Sequence, residues 1–277
     1  MVTLNRSVCA ARVCAAMALL AVAATASAAE GEKRSPGSMS VEDIQACMQK
    51  NLVNRGALRE LNVSATDREG KAHALRMRLY WKPTKTGHTR MNLRIVEPAA
   101  MVGSSYLLLE QGSQEEVYFY LRGTDQAVRI TGQNMGEPLW GTDFSYGEIK
   151  QVLGLLYVGD THKLADTKVF DRPAWTLETR SKMHEVGGYQ KVVSYVDQAS
   201  CVLVKTEFFA KPEAARKVLE ADITKLLQAD TYWLMLGYTM TDKREGTHTT
   251  VDLSDFSLLE RLPEKLFDTK TFFEPFD

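Results

Sequence analysis

Two cysteines are the residues whose chemistry is best defined by their type and position. The sequence has four, of which Cys9 and Cys14 lie in the N-terminal segment, so Cys47 and Cys201 remain in the main body. A disulfide between them would close a long loop and stabilise the fold by about 5 kcal/mol in the chain-entropy treatment. The alternative is two buried thiols, since the sequence fixes neither their distance nor their Cβ directions. C-x-x-C is absent, so redox catalysis has no support.

The other reactive side chains form no catalytic pattern. There is no H-E-x-x-H motif and no Cys/His cluster at metal-ligand spacing. Gly103-Ser104-Ser105 lacks the G-x-S-x-G elbow, and no Gly-rich phosphate loop precedes a helix. Asp143 is the one carboxylate whose position invites a role, but it can equally hydrogen-bond turn amides, and we prefer that structural interpretation. The sequence therefore predicts no catalytic residue, no metal and no cofactor. The histidines are scattered: His73, His88, His162, His184 and His248.

The N-terminus has the pattern of a secretory signal peptide. Arg6 and Arg12 precede a short apolar run, and Ala26-Ser27-Ala28 supplies small residues for cleavage. The run is shorter than the roughly 20 residues of a spanning helix. We predict a signal peptide over 1–28, cleaved before Ala29, and an exported, periplasmic protein. In such an oxidising compartment we expect the disulfide.

Composition places the rest of the chain among ordinary globular proteins. Hydrophobic residues make up 44% and charged residues 25%, which excludes a mainly disordered chain. No clustered basic surface is visible, so nucleic-acid binding is not expected. Residues 29–40 read as a flexible lead-in, and 41–277 as one domain.

The elements that must position these residues are mostly strands. Val41 to Asn54 has apolar residues at helical spacing, with Cys47 beside the stripe. After Leu61 the period becomes two. Residues 216–228 fit either a helix or a strand, and we favour a strand. The other predicted strands of the second half are 174–179, 190–197, 201–209, 232–240 and 247–258.

The block from Gly141 to Ile149, GTDFSYGEI, predicts a helix start. Ser145 and Glu148 form S-x-x-E, a capping box, and Phe144 and Ile149 fall at the positions of a hydrophobic staple. We expect a helix running to about Leu156.

The same block resembles the G-[ST]-D-F-S-Y-x-[DE]-[IL] signature of outer-membrane lipoprotein-sorting proteins, in the LolA/LolB-like carrier superfamily. The order RIVEP (94–98), SYLLL (105–109), EVYFYL (116–121) and the tail LPEKLF (262–267) is also similar to that family. The chain departs from it at Gly147, where Asp or Glu is usual, and at Arg122-Gly123, where Pro is usual.

The resemblance implies a mainly β fold with a few α-helices, in which a strongly curved antiparallel sheet forms an unclosed half-barrel covered by helices. Its concave face would bind acyl chains, although each apolar residue there could instead be solid core. Trp140 and Phe144 would form a lid at the cavity mouth. The inward candidates are Met77, Leu79, Trp81, Leu93, Ile95, Phe119, Leu121, Leu234 and Leu236.

Two functions remain open at this point. The resemblance implies a non-enzymatic, monomeric periplasmic carrier that shuttles a lipid or a lipid-modified protein between the inner and outer membranes, with an RND-type inner-membrane transporter as partner. The alternative is an enzyme that uses the half-barrel as a reaction chamber. A continuous apolar lining would favour the carrier, and a buried set of polar groups the enzyme.

Overall fold

In the computed structural model, the alternating apolar residues form an extensive antiparallel sheet. The structure describes residues 39–84, 88–111, 114–124, 126–180 and 188–275, all within one compact unit, Ser35–Asp277. The predicted signal peptide, and the lead-in up to residue 38, lie outside the described residues. The strands are β1 (Ala57–Thr66), β2 (Ala72–Pro83), β3 (Thr89–Glu97), β4 (Ser105–Gln111), β5 (Gln114–Tyr120), β6 (Val128–Ile130), β7 (Asp160–Lys163), β8 (Thr167–Val169), β9 (Arg172–Arg180), β10 (Lys191–Asp197), β11 (Leu203–Phe209), β12 (Lys217–Ala221), β13 (Leu226–Ala229), β14 (Tyr232–Met235), β15 (Gly237–Asp242), β16 (Thr247–Leu253) and β17 (Ser257–Leu258).

Most strands pair with their neighbours in sequence, and the two halves of the sheet join where β16 pairs with β1. The strand order is β6-β5-β4-β3-β2-β1-β16-β15-β12-β11-β10-β9-β7, with β8 beside β9 and β17 beside β1. β13 and β14 form a separate hairpin. Because β6 and β7 end the order without pairing to each other, the sheet is an unclosed half-barrel, as predicted.

The inner face of the half-barrel carries the main hydrophobic core. Leu61 pairs with Met77, and Met77 pairs with Ile95, so their side chains share one face. Each is 2% exposed or less. On the outer face, Tyr80 and Leu107 belong to a second cluster with the C-terminal residues Leu262, Leu266, Phe267 and Phe272. The tail therefore covers the back of the first strands.

The helix α1 (Val41–Gln49) begins at a capping box between Ser40 and Asp43. The helix ends at Gln49, five residues before Asn54, where the sequence predicted its end. Its buried residues, Ile44 and Met48, pack in a third cluster with residues of β9 to β11. The predicted disulfide is confirmed: Cys47 of α1 is bonded to Cys201, with the Cα atoms 5.7 Å apart. The bridge fixes α1 to the second half of the sheet.

Residues 216–228 are mainly strand, as favoured from the sequence. β12 and β13 account for most of the segment, and a 3-10 turn at Ile223–Lys225 separates them. The helical spacing of the apolar residues was misleading, because these residues do not share one buried face. Leu219 is buried in the sheet, whereas Leu227 is 41% exposed. The predicted strand 232–240 is likewise divided, into β14 and β15. Other 3-10 turns are Ala99–Met101, Gly132–Gly136, Ile149–Leu153 and Glu264–Phe267.

Candidate ligand-binding site

The block from Gly141 to Ile149 does not begin an α-helix. The structure has only the 3-10 turn Ile149–Leu153, which ends at Gly154 in the left-handed conformation, with φ 78°. Half of the predicted capping box forms, since the Ser145 amide donates to Glu148 Oε2 at 2.7 Å. The Ser145 hydroxyl has no partner in the described part of the chain. The prediction of a helix to Leu156 was therefore wrong, because left-handed Gly154 stops the turn. Phe144 and Ile149 are buried in the main core, consistent with a staple.

Tertiary contacts explain why the Glu148 carboxylate does not serve a local helix. It accepts a hydrogen bond from Lys217 Nζ of β12 at 3.0 Å and another from the Tyr189 hydroxyl. Lys217 Nζ also donates to the Asp143 carbonyl at 2.7 Å. Burial is the main cause that raises the pKa of Tyr189, and the Glu148 charge adds to it. This buried polar cluster anchors the block to the sheet.

Asp143 has a structural position, but its partners are not the turn amides predicted. Its carboxylate accepts from the hydroxyls of Thr247 and Thr249 on β16, the latter at 2.6 Å. Its amide donates to the Thr249 hydroxyl at 2.9 Å. The block is thus fixed to β12 and to β16, and it lies against the inner face of the half-barrel.

Most of the predicted cavity residues lie together in the core. Trp140, next to the 141–149 block, and Phe144, within it, are also buried there. Phe119 is half-buried, with ring-centroid distances of 5.8 Å to Trp140 and 5.1 Å to Tyr146. The members that are 2% exposed or less are Met77, Leu79, Leu93, Ile95 and Phe144.

Three other candidates lie near the edge of this core, and one lies outside it. Trp81 is buried and donates from Nε1 to the Val53 carbonyl at 2.8 Å. Leu234 is buried, and Leu236 is half-buried between β14 and β15. Leu121 does not face inward as predicted. It follows the last residue of β5, where the alternation stops, and is 42% exposed.

An open groove of about 510 Å³ lies beside α1. Gln45 and Met48 of α1 form one wall, Glu110 and Glu115 of β4 and β5 another, and Gly154 to Gly159 a third. This volume is in the range of small-molecule clefts. Tyr157 lines the groove. Its burial, with the charges of Glu148 and Glu115, raises the pKa of its phenol.

Two much smaller cavities adjoin the groove. Each has about 40 Å³, and they share the lining residues Asn51, Arg59, Leu153 and Leu234. One shares Leu52 with the groove and is otherwise walled mainly by apolar residues, among them Leu79 and Trp81. A cavity of this size has room for about one to a few waters. Around these cavities the interior is therefore filled by protein, a point that the sequence had left open.

Arg59 is the charged residue that lines both small cavities, and sequence reasoning missed it. On β1 it has the same parity as Ala57, Leu61 and Val63, all of which are buried. A charged residue at an inward position of an alternating strand was the available signal.

Within the described ranges, no three His, Cys, Asp or Glu side chains come close enough together to hold a metal ion. The same ranges contain no helix with the length and hydrophobicity that crossing a bilayer requires.

Comparisons with known proteins place this fold. A family model described as "Uncharacterized protein" matches residues 87–273, and no curated protein matches the chain. A DUF1329 family protein from Desulfovibrio piger has a TM-score of 0.71 at 19% identity, over 82% of this chain and 95% of its own. A protein from Vibrio parahaemolyticus, provisionally assigned as an outer membrane lipoprotein-sorting protein domain, has 0.72 at 20%, over 83% and 96%. A LolA superfamily protein from Nitrosomonas europaea has 0.64 at 18%, over 83% and 98%. The resemblance seen in the sequence is confirmed at the level of the fold.

Proposed function

Because this chain belongs to the family whose model matches residues 87–273 and has a LolA-like fold, we propose that it is a non-enzymatic carrier of acyl chains. The ligand is a lipid or a lipid-modified protein, held against the inner face of the half-barrel. The name given to the Vibrio parahaemolyticus protein, with its reference to lipoprotein sorting, supports this class of ligand by analogy of fold.

The observation that carries the proposal is the apolar inner face together with the groove that reaches it. Met77, Leu79, Leu93 and Ile95 form a continuous apolar surface. The groove is walled by α1 and residues 154–159, and the adjoining cavity that shares Leu52 with it reaches this surface at Leu79. An acyl chain in water costs about 0.8 kcal/mol per CH2, or roughly 12 kcal/mol for a long chain. A carrier must therefore enclose it in an apolar site of this kind.

Loading requires the covering segments to separate from the sheet, since the small cavities cannot contain a chain. α1 is attached at Cys201 by the disulfide, and the 149–153 turn is attached through Glu148. Residues 154–159 follow the 149–153 turn in sequence, and they line the groove beside α1. We infer that the ligand enters there and replaces side chains that now fill the interior.

The cellular setting of the proposal is the periplasm. The predicted signal peptide and the disulfide both fit an oxidising, exported location. A monomeric carrier that crosses this compartment would receive its cargo at the inner membrane, from an RND-type transporter according to the family resemblance, and release it at the outer membrane.

The buried cluster of Glu148, Lys217 and Tyr189 is the observation that favours an enzyme. These groups bond to one another and to the backbone, and none of them lines the groove or the two small cavities. Their positions suit anchoring of the 141–149 block better than contact with a substrate. The carrier therefore remains the preferred function.

A pair of arginine substitutions near the end of β5 tests the proposal. Phe119→Arg puts a charge at the half-buried inner edge, where we expect binding of a fluorescent long-chain fatty acid to weaken at least tenfold while the fold is kept. Leu121→Arg, two residues later at an exposed position, is the matched control and should bind as the wild type does. Unchanged binding by a folded Phe119→Arg protein, or chemical turnover of the ligand, would count against the carrier.

A further inference from the structure

Arg59 is a charged residue in the apolar inner face. On β1 it lies between Ala57 and Leu61, which are 3% and 1% exposed, and its Cα partner on β2 is Leu79. The carrier's core has no evident packing need for a guanidinium at this position. Arg59 itself is half-buried, and the hydration that its cation loses there must be replaced by partners.

The protein supplies only part of that replacement. Arg59 Nε donates to the Ser254 carbonyl at 3.1 Å. The Nη2 atom is buried, and across the described residues it has no hydrogen-bond partner. An unpaired buried donor of a charged group is costly and calls for an explanation.

The unpaired guanidinium lies at the two small cavities. Arg59 lines both of them, next to Leu153 and Leu234. Asn51 also lines both, but its amide is already used, since Nδ2 donates to the Ser200 carbonyl at 2.8 Å and Oδ1 accepts from the Trp233 amide at 2.9 Å. Arg59 is thus a polar group here with hydrogen-bonding capacity to spare.

The guanidinium keeps its positive charge in this setting. Burial lowers the pKa of Arg59, and the charges of the nearby Tyr238 and Asp255 oppose that effect. Arginine remains protonated in proteins, and its planar fork matches the two oxygens of a carboxylate or phosphate.

We propose that Arg59 binds the anionic head group, a carboxylate or a phosphate, of an acyl ligand whose chain occupies the apolar inner face. This inference rests on the carrier function and specifies its ligand class as acidic amphiphiles. Selectivity follows because a neutral lipid can offer Nη2 only an uncharged acceptor, which makes a weaker hydrogen bond with the guanidinium than a carboxylate or a phosphate does.

The test compares lipids that share one chain and differ in the head group. Full-length mature protein, stripped of bound lipid, is titrated with palmitate, with palmitoyl-lysophosphatidate and with neutral monopalmitoylglycerol. We expect the wild type to bind the two anions at least about tenfold more tightly, the lower end for a charge-assisted hydrogen bond. Inorganic phosphate alone should not compete at the same concentration, because it lacks the chain.

Substitutions then assign the preference to Arg59. Arg59→Met should reduce the ratio of anionic to neutral affinity about tenfold, whereas Arg59→Lys, which keeps the charge without the fork, should retain part of it. Arg78→Met removes an exposed cation paired with Glu60 on the outer face, and it should leave the ratio unchanged. Thermal unfolding of each ligand-free variant shows whether it is folded, and Arg59→Lys serves if Arg59→Met is not.

The outcomes separate this inference from the function on which it rests. Binding of none of the three lipids by the wild type would overturn both. Equal affinity for charged and neutral lipids, unaffected by the Arg59 variants, would overturn only the assignment of Arg59. Competition by phosphate at the same concentration as the lipids would show a site for a free anion and contradict the acyl ligand.

Discussion

At the scale of single residues, buried charges determine how the covering block is held. Glu148 and Lys217 have side chains that are 0% and 5% exposed, and they pair at 3.0 Å. Two ions removed from water in this way stabilise a fold only while both are present. The sequence indicated Glu148 as a capping residue. Its ion-pair partner, Lys217, lies 69 residues away in sequence, so no local pattern could have shown this pair.

Removal of one member of this pair should be strongly destabilising. We expect Lys217→Met to lower the free energy of unfolding by about 3–5 kcal/mol, because it leaves the Glu148 charge uncompensated. Urea denaturation measures the loss. Lys205→Met, which breaks a more exposed pair with Glu207, is the control and should cost about 1 kcal/mol or less. The account of Glu148 fails if the two variants lose the same amount, or if adding Glu148→Gln to Lys217→Met restores nothing.

Asp197 provides a pH-dependent contribution at the end of β10. Burial alone would raise its pKa, but hydrogen bonds from Arg172 and Ser200 outweigh burial and hold the pKa below 3.8. Since the folded pKa is the lower one, the stabilisation is present above pH 3.8 and is lost as the pH falls through the folded pKa. Asp197→Asn should cost about 1–3 kcal/mol at pH 7, and the difference from wild type should shrink below pH 4. Urea midpoints measured across pH would reveal a constant difference if this assignment were wrong.

At the scale of elements, alternation predicted the strands well and the covering segments poorly. β2 follows the period of two from Leu75 to Leu79, because one of its faces packs on the core. In β3 the polar residues of the other face, Asn92 and Arg94, are buried as well, because they donate to carbonyls of the C-terminal tail. The 141–156 block has the residues of a helix start, yet Gly154 and the bonds to β12 and β16 keep it mostly irregular. The cover thus consists of α1 and a largely non-helical segment, rather than of several helices. Such tertiary bonds lie beyond the range of local sequence patterns.

The disulfide should contribute a measurable part of the stability. It links residues 154 apart in sequence, and loss of a native bridge typically costs about 2–5 kcal/mol. We expect the Cys47→Ala/Cys201→Ala double variant to lose an amount in this range in urea denaturation. Faster hydrogen exchange in α1 should accompany the loss, because the bridge attaches that helix to the sheet. Wild-type protein treated with a reductant should match the variant, and an unchanged midpoint after complete reduction would contradict the account.

At the scale of the whole molecule, the inner face serves both as core and as the proposed binding surface. The resemblance correctly predicted the unclosed half-barrel, and it placed Met77, Leu79, Leu93 and Ile95 inside. The resemblance could not show whether these four residues contact a ligand, because apolar residues alternate with the same period of two whether they line a cavity or form solid core.

Leu93 and Phe119 should respond differently to a charge. Leu93 is 1% exposed, so Leu93→Arg buries an unpaired guanidinium and should lower the thermal midpoint by many degrees or prevent folding. Phe119→Arg, at a half-buried position, should keep a midpoint near that of the wild type. Thermal unfolding of both proteins checks this difference. A stable Leu93→Arg protein would show that the interior opens more readily than its packing suggests.

The most direct measurement of the central claim is native mass spectrometry of the protein purified from the cells that naturally produce it, followed by extraction and identification of bound lipid. The account predicts a one-to-one complex with an acyl ligand that is recovered chemically unchanged. It further predicts that the Phe119→Arg protein, purified in the same way, carries much less of this ligand. A protein that is always recovered free of lipid, or one that contains a chemically converted product, would contradict the carrier function.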